Sequence, residues 1–193
     1  MPLTCPRIEQ IPLPIMEKYR NIILCVDIMY VNGTAFLMSI SREIQFITSE
    51  HITSPKPTAT QIANCLKNIN RVYRQRGFKI EFLIGDGEFE KVRGGAADMH
   101  IEVNITGEDE HVPEIERCIR TVKERTRCIW SVLRMALQTQ KMEEIWFPTR
   151  LIIEFVKTAV FWRNAFPVQH GVSDRLSPTT IVTGRMIDFQ VHC

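Results

Sequence analysis

The chain has no Cys-x-x-Cys pair, and its six cysteines (Cys5, Cys25, Cys65, Cys118, Cys128 and Cys193) keep no zinc-ligand spacing with its five histidines. That excludes a zinc ribbon or finger and leaves the cysteines to be read as reduced thiols. No apolar stretch approaches the ~18 residues of a membrane span. The first twenty residues, interrupted by Pro2, Pro6, Pro12 and Pro14, do not have the pattern of a signal peptide. A soluble intracellular protein is expected. Charge of one sign is also scarce. A net charge of +2 neither demands nor excludes a nucleic-acid partner, so local clustering has to decide. Internal repeats and low-complexity tracts are missing. Gly85-Asp86-Gly87 is not followed by the lysine of a phosphate-binding loop, which leaves nucleotide hydrolysis without support.

What is present begins with an uninterrupted apolar run around one charge, Ile22-Ile23-Leu24-Cys25-Val26-Asp27-Ile28-Met29-Tyr30-Val31. Such a run reads as a central strand covered on both faces. A carboxylate there costs several kcal/mol unless it is paired or protonated. Asp27 therefore calls for a cation, either a core arginine or a metal ion.

The 193 residues suffice for one domain with a proper core, and 45% apolar and 24% charged residues are ordinary for a globular protein. Residues 1–20 read as an extended linker. Strand-like runs cover 21–31, 34–41 and 43–48, the first two joined by the hairpin signal Asn32-Gly33. A helix capped by Thr58 or Thr60 runs to Arg76 and stops at Gly77. Strands follow at 79–84 and 99–105, separated by a mobile loop over 88–98 that holds Gly94-Gly95. A long helix begins at Pro113 and runs to about Leu137. A last helix covers 149–165, and the tail from Pro167 reads as loop. The expected domains are 1–20 as an extended tail, 21–167 as the main folded core and 168–193 as a C-terminal extension. Three strands, a helix, two strands and two helices predict an α/β, ribonuclease H-like fold with a five-stranded mixed sheet flanked by helices. A doubly wound sheet would alternate strand and helix from the start.

Three carboxylates stand out by placement. Asp27 lies inside the first strand, Asp86 ends the fourth between two glycines, and Glu116 is in the first turn of the long helix. Oxygen ligands of this kind suit Mg²⁺ or Mn²⁺. Two such ions about 3.5–4 Å apart activate a nucleophile and stabilise the leaving oxygen in phosphoryl transfer. Each residue also has an ordinary reading: Asp27 paired with a core arginine, Asp86 as a turn residue, Glu116 as a helix N-terminal acid like Glu114. Glu116, Arg120, Lys123 and Arg127 are spaced 4, 3 and 4 and form one helical stripe, beside the apolar stripe through Ile115 and Ile119. With Arg117 and Arg125 nearby, it is a basic surface next to an acid, as a phosphodiester substrate requires. The ordinary alternative is a solvated face with internal pairs such as Glu116–Arg120. His111 is a candidate to orient water or substrate. Trp130, Trp146 and Trp162 read most simply as core.

These segments resemble the integrase core of copia-type retrotransposons, in the DDE transposase and retroviral integrase superfamily. Asp27 in its apolar strand resembles the family's first aspartate. Gly85-Asp86-Gly87-Glu88-Phe89 resembles its second acidic segment. His111-Val112-Pro113-Glu114-Ile115-Glu116-Arg117-Cys118-Ile119-Arg120-Thr121 is similar to its helix start, with Glu116 rather than Glu114 as third acid. The tail, Leu176-Ser177-Pro178 through Ile181-Val182-Thr183-Gly184-Arg185, is also similar. The stretch between Asp86 and Glu116 is shorter than in many members, and the family's amino-terminal zinc-binding segment is missing, as in an excised core or a fragment of a polyprotein. The resemblance implies 3′-end processing and strand transfer of DNA, with Asp27, Asp86 and Glu116 holding two Mg²⁺ (or Mn²⁺) ions. It implies Arg117, Arg120, Lys123 and Arg127 as DNA-binding residues, a homo-oligomer, and action in the nucleus after passage through a cytoplasmic particle. Two alternatives remain open: an inactive or domesticated nucleic-acid-binding remnant, and a ribonuclease H acting on RNA–DNA hybrids.

Overall fold

A computed structural model describes residues 8–107, 112–138, 148–169 and 171–187. Five strands form one sheet in the order β3-β2-β1-β4-β5. They are β1 (Asn21–Val31), β2 (Thr34–Ser41), β3 (Ile47–Ile52), β4 (Lys79–Gly85) and β5 (Glu102–Ile105). β1, β2 and β3 run antiparallel as a meander, while β4 and β5 run parallel to β1 and to each other. Asn32 and Gly33 take left-handed backbone conformations (φ 46° and 75°) and close the first hairpin in two residues, as the right-handed twist of paired strands favours.

Alternation along β1 sends its side chains to two different cores. Ile22, Leu24, Val26 and Ile28 enter one cluster, with Ile62, Leu66, Ile69 and Tyr73 of α2 (Ala59–Arg74). Cys25 and Met29 enter the other, with Ile115, Cys118 and Val122 of α4 (Pro113–Gln138) and Ile152 and Val156 of α5 (Thr149–Asn164). Thr58 caps α2 with a reciprocal capping box through Gln61, and Gly77 past its end takes φ 86°. Asn164, at the end of α5, holds both backbone groups of Ile47 in β3.

Several segments differ from the expectations. The third strand is Ile47–Ile52 rather than 43–48, because residues 42–45 are spent on a turn. The Ser41 hydroxyl accepts the Phe46 N–H (3.0 Å), and Gln45 takes φ 59°. Ile44 and Phe46 are buried all the same, which is why they mimic a strand. The extended tail contains α1 (Leu13–Tyr19), whose Ile15, Met16 and Tyr19 pack on the α2-side core. Pro14 sits in its first turn, where a missing N–H costs nothing. The mobile loop is instead a 3₁₀ helix (Gly87–Val92) followed by α3 (Arg93–Ala97), pinned by buried Phe89, Val92 and Ala96. The short strand begins at Glu102 because the N–H groups of Met99 and Ile101 both close onto Ala96. The tail after Pro167 contains α6 (Pro178–Thr183), capped by Ser177, with Ile181 and Val182 in the α2-side core. Ile8 bridges to Arg185, so the described ends of the chain meet there. Trp130 and Trp162 are only half-buried, and Trp146 lies outside the described residues.

Cys25, Cys65 and Cys118 are buried free thiols, and burial pushes Cys25 and Cys65 up to about 11 and Cys118 up to about 12. Protonated thiols of this kind are poor nucleophiles. Among the described residues no helix is long and apolar enough to cross a membrane.

Candidate active site

Asp27 shares its strand face with Cys25 and Met29, the face that α4 covers. It is half-buried because the sheet opens there on a cleft instead of closing on an apolar side chain. Its Oδ1 accepts the N–H of Ile28 at 2.6 Å. No ion pair reaches it among the described residues, so the core-arginine alternative does not hold. Burial is the main force pushing its carboxyl up to about 6. The Ile28 N–H opposes that shift, while the negative charges of Asp86, Glu116 and Glu88 add to it.

Asp86 is brought beside Asp27 by strand register. Cys25 in β1 is level with Ile84 in β4, so two residues further each chain carries its aspartate. Asp86 is exposed, and its Oδ1 accepts the Glu88 N–H at 3.0 Å, capping the 3₁₀ helix. The turn role and the site role thus coexist in one carboxylate. Gly85 permits the sharp exit from β4: a Cβ there would lie 2.7 Å from the Phe89 ring and 3.1 Å from Val26 Cγ2. Gly85→Ala is expected to cost about 1–3 kcal/mol through overpacking. Urea denaturation checks this; a variant as stable as the parent would show that Phe89 yields freely.

The structure separates the two acids at the start of α4. Glu114 turns to the β2–β3 corner and pairs with Arg42 at 2.9 Å. Glu116 lines a cleft of about 390 Å³ together with Asp27, Arg120, Lys123 and Arg127. Three of the four expected DNA-binding cations are therefore on the cleft with Asp27. Arg117 is exposed and is not on it, since one residue along a helix turns the side chain by about 100°. His111 lies outside the described residues. Glu88, an acid not expected at the site, approaches it as well; its place directly after Gly-Asp-Gly is the available sequence signal. It sits within electrostatic reach of Asp27 and pairs with Lys91 at 3.4 Å.

Asp27, whose ionisation the charges of Asp86 and Glu116 oppose and which has no ion-pair partner among the described residues, shares with those two carboxylates the donor chemistry of a hard divalent ion. Their spacing is looser than their chemistry: among the described residues no three His, Cys, Asp or Glu side chains stand as a set that could hold a metal ion. Asp27 and Asp86 each keep one oxygen on a backbone N–H, as described above.

A mixed sheet in this order, with helices on both faces, is the ribonuclease H-like fold of integrase catalytic cores. The crystal structure of the catalytic core domain of BIV integrase superposes with a TM-score of 0.54 over 83% of this chain and 92% of that chain, at 16% sequence identity. No protein-family model and no curated protein sequence matches the chain.

Proposed function

We propose that the chain is the catalytic core of a DNA integrase, of the copia-type retrotransposon kind. It would process DNA 3′ ends and transfer them into target DNA. The observation that carries this reading is Asp27: a half-buried carboxylate with no cationic partner among the described residues, facing the charges of Asp86 and Glu116 on a cleft whose other wall is basic. Asp27, Asp86 and Glu116 would hold Mg²⁺ or Mn²⁺, two ions at full occupancy. Bound there, the ions would activate the attacking oxygen and stabilise the leaving one. Arg120, Lys123 and Arg127 would lie along the phosphates, fixing the strand without reading its sequence. Action as a homo-oligomer in the nucleus belongs to the same proposal.

Glu116→Gln is expected to remove Mg²⁺-dependent strand transfer on labelled oligonucleotides. Glu114→Gln, which breaks only the half-exposed pair with Arg42, is expected to leave it, at a stability cost within about 1 kcal/mol. The reverse ranking would transfer the third-ligand role to Glu114 and sink the assignment.

A second reading, a DNA-binding module without catalysis, is favoured by the open spacing of the three acids. Mn²⁺ calorimetry separates the two. Heat that disappears in Asp27→Asn supports the metal-dependent enzyme, and no acid-dependent heat supports the module.

A further inference from the structure

We propose that a second pocket, joined to the acidic cleft through Lys123 and Arg127, seats one unpaired nucleotide of a bound strand; this rests on the reading of the cleft as a DNA site. The pocket holds about 420 Å³ between the β1–β2 turn, α4 and α5, within the range of small-ligand sites. Its walls include Tyr30, Asn32, Thr126 and Trp130, with Lys123 and Arg127 shared with the cleft.

Three features specify the occupant. Tyr30 is 43% exposed at the end of a strand, Trp130 is half-buried on α4 and buried Phe155 of α5 lines the pocket with them, so three aromatic side chains border the space. Thr126 is only 4% exposed, and its Oγ1 has no hydrogen-bond partner among the described residues. A helical threonine readily returns its hydroxyl to the carbonyl four residues back, as Thr121 does to Arg117 at 2.9 Å; Thr126 does not. The third feature is the pair of cations where pocket and cleft meet. An apolar ligand would answer only the aromatics, and an inorganic anion only the cations. A nucleobase joined to its phosphate answers both, and supplies polar edge atoms for Thr126 and for Asn32, which the left-handed turn sets at the lip. The base must be unpaired, because a stacked and paired base offers no free face.

Fluorescence anisotropy on the intact chain tests this with one labelled duplex in three forms: fully paired, carrying a single bulged nucleotide, and carrying an abasic residue at the bulge. The bulged duplex is expected to bind about tenfold tighter than the paired one, a typical gain for one stacked base. The abasic bulge should bind like the paired duplex. Tyr30→Ala and Thr126→Val should erase the advantage, whereas Arg120→Ala, on the cleft but outside the pocket, should weaken all three forms by the same factor. An abasic bulge that keeps the full advantage overturns the pocket, as do equal affinities for paired and bulged duplexes; the cleft reading survives both results. Absence of binding to every form, or indifference to Arg120→Ala, overturns the cleft reading, and the pocket falls with it.

Discussion

Asp27→Asn is expected to lower Mg²⁺-dependent strand transfer by about three orders of magnitude, to background, while making the metal-free protein more stable. The rate effect follows from its proposed place as a metal ligand beside the basic helix; electrostatic stabilisation of this type supplies several kcal/mol of a barrier. The stability effect follows from linkage. The native carboxyl titrates near 6, against an ordinary value of 3.8. Between those values the folded chain holds a proton that the unfolded chain has released, so stability falls as pH rises through the window and stays lower above it. The shift corresponds to at most about 3 kcal/mol. Solvent beside a half-exposed side chain reduces this to about 1–2 kcal/mol. Asparagine keeps the size and loses the titration. In EDTA, melting of Asp27→Asn at neutral pH should therefore rise by about 2–8 °C, and the gap should close near pH 4. Mg²⁺ should raise the melting temperature of the parent and leave the variant unmoved. A variant that melts lower than the parent at neutral pH would mean that Asp27 holds the fold together by contacts of its own.

Asn164→Ala is expected to have the largest effect on stability, about 2–5 kcal/mol. In the native chain its Nδ2 donates to the Ile47 carbonyl at 2.7 Å and its Oδ1 accepts the Ile47 N–H at 2.9 Å. The amide thus acts as a short stand-in for a neighbouring strand on the outermost strand of the sheet, and ties β3 to α5. Asn164 is 4% exposed, so truncation leaves two buried backbone groups unsatisfied, at about 1–3 kcal/mol each. Asn164→Asp should be worse at neutral pH than in mild acid, because only the protonated carboxyl can donate to the Ile47 carbonyl. Urea denaturation at the two pH values reads both effects. A loss under about 0.5 kcal/mol for Asn164→Ala would show that water replaces the amide.

The parts of the molecule legible in the sequence are those fixed by neighbours in the chain. Asn32-Gly33 marked its hairpin because few other residues tolerate two successive left-handed conformations. Pro113 marked the start of α4, and Thr58 or Thr60 marked the start of α2, where the structure uses Thr58. Asp27 announced itself as a charge within an apolar run. The register of the third strand was not legible, because Ile44 and Phe46 are buried from a turn as thoroughly as from a strand. Nor were α1, the 3₁₀ helix, α3 and α6, which are too short for their periodicity to register and are held by packing against the α2-side core.

At the site the division is similar. The sequence by itself determined that a strand carries a buried-type carboxylate, that a second acid ends another strand, and that a helix presents an acid followed by cations at helical spacing. Glu114 and Glu116 are equivalent as first-turn acids; the Arg42 guanidinium, supplied from the far end of β2, draws one away and leaves the other on the cleft. Tertiary structure alone also decided that Asp86 comes within electrostatic reach of Asp27, that Arg117 faces elsewhere, and that Thr126 borders a pocket with its hydroxyl unmatched among the described residues. The reason is the range of the forces involved. Turn geometry, capping and amphipathic period act over a few residues and are written locally. Strand register, ion pairing and desolvation depend on which distant segment arrives alongside, and only the packed chain settles that.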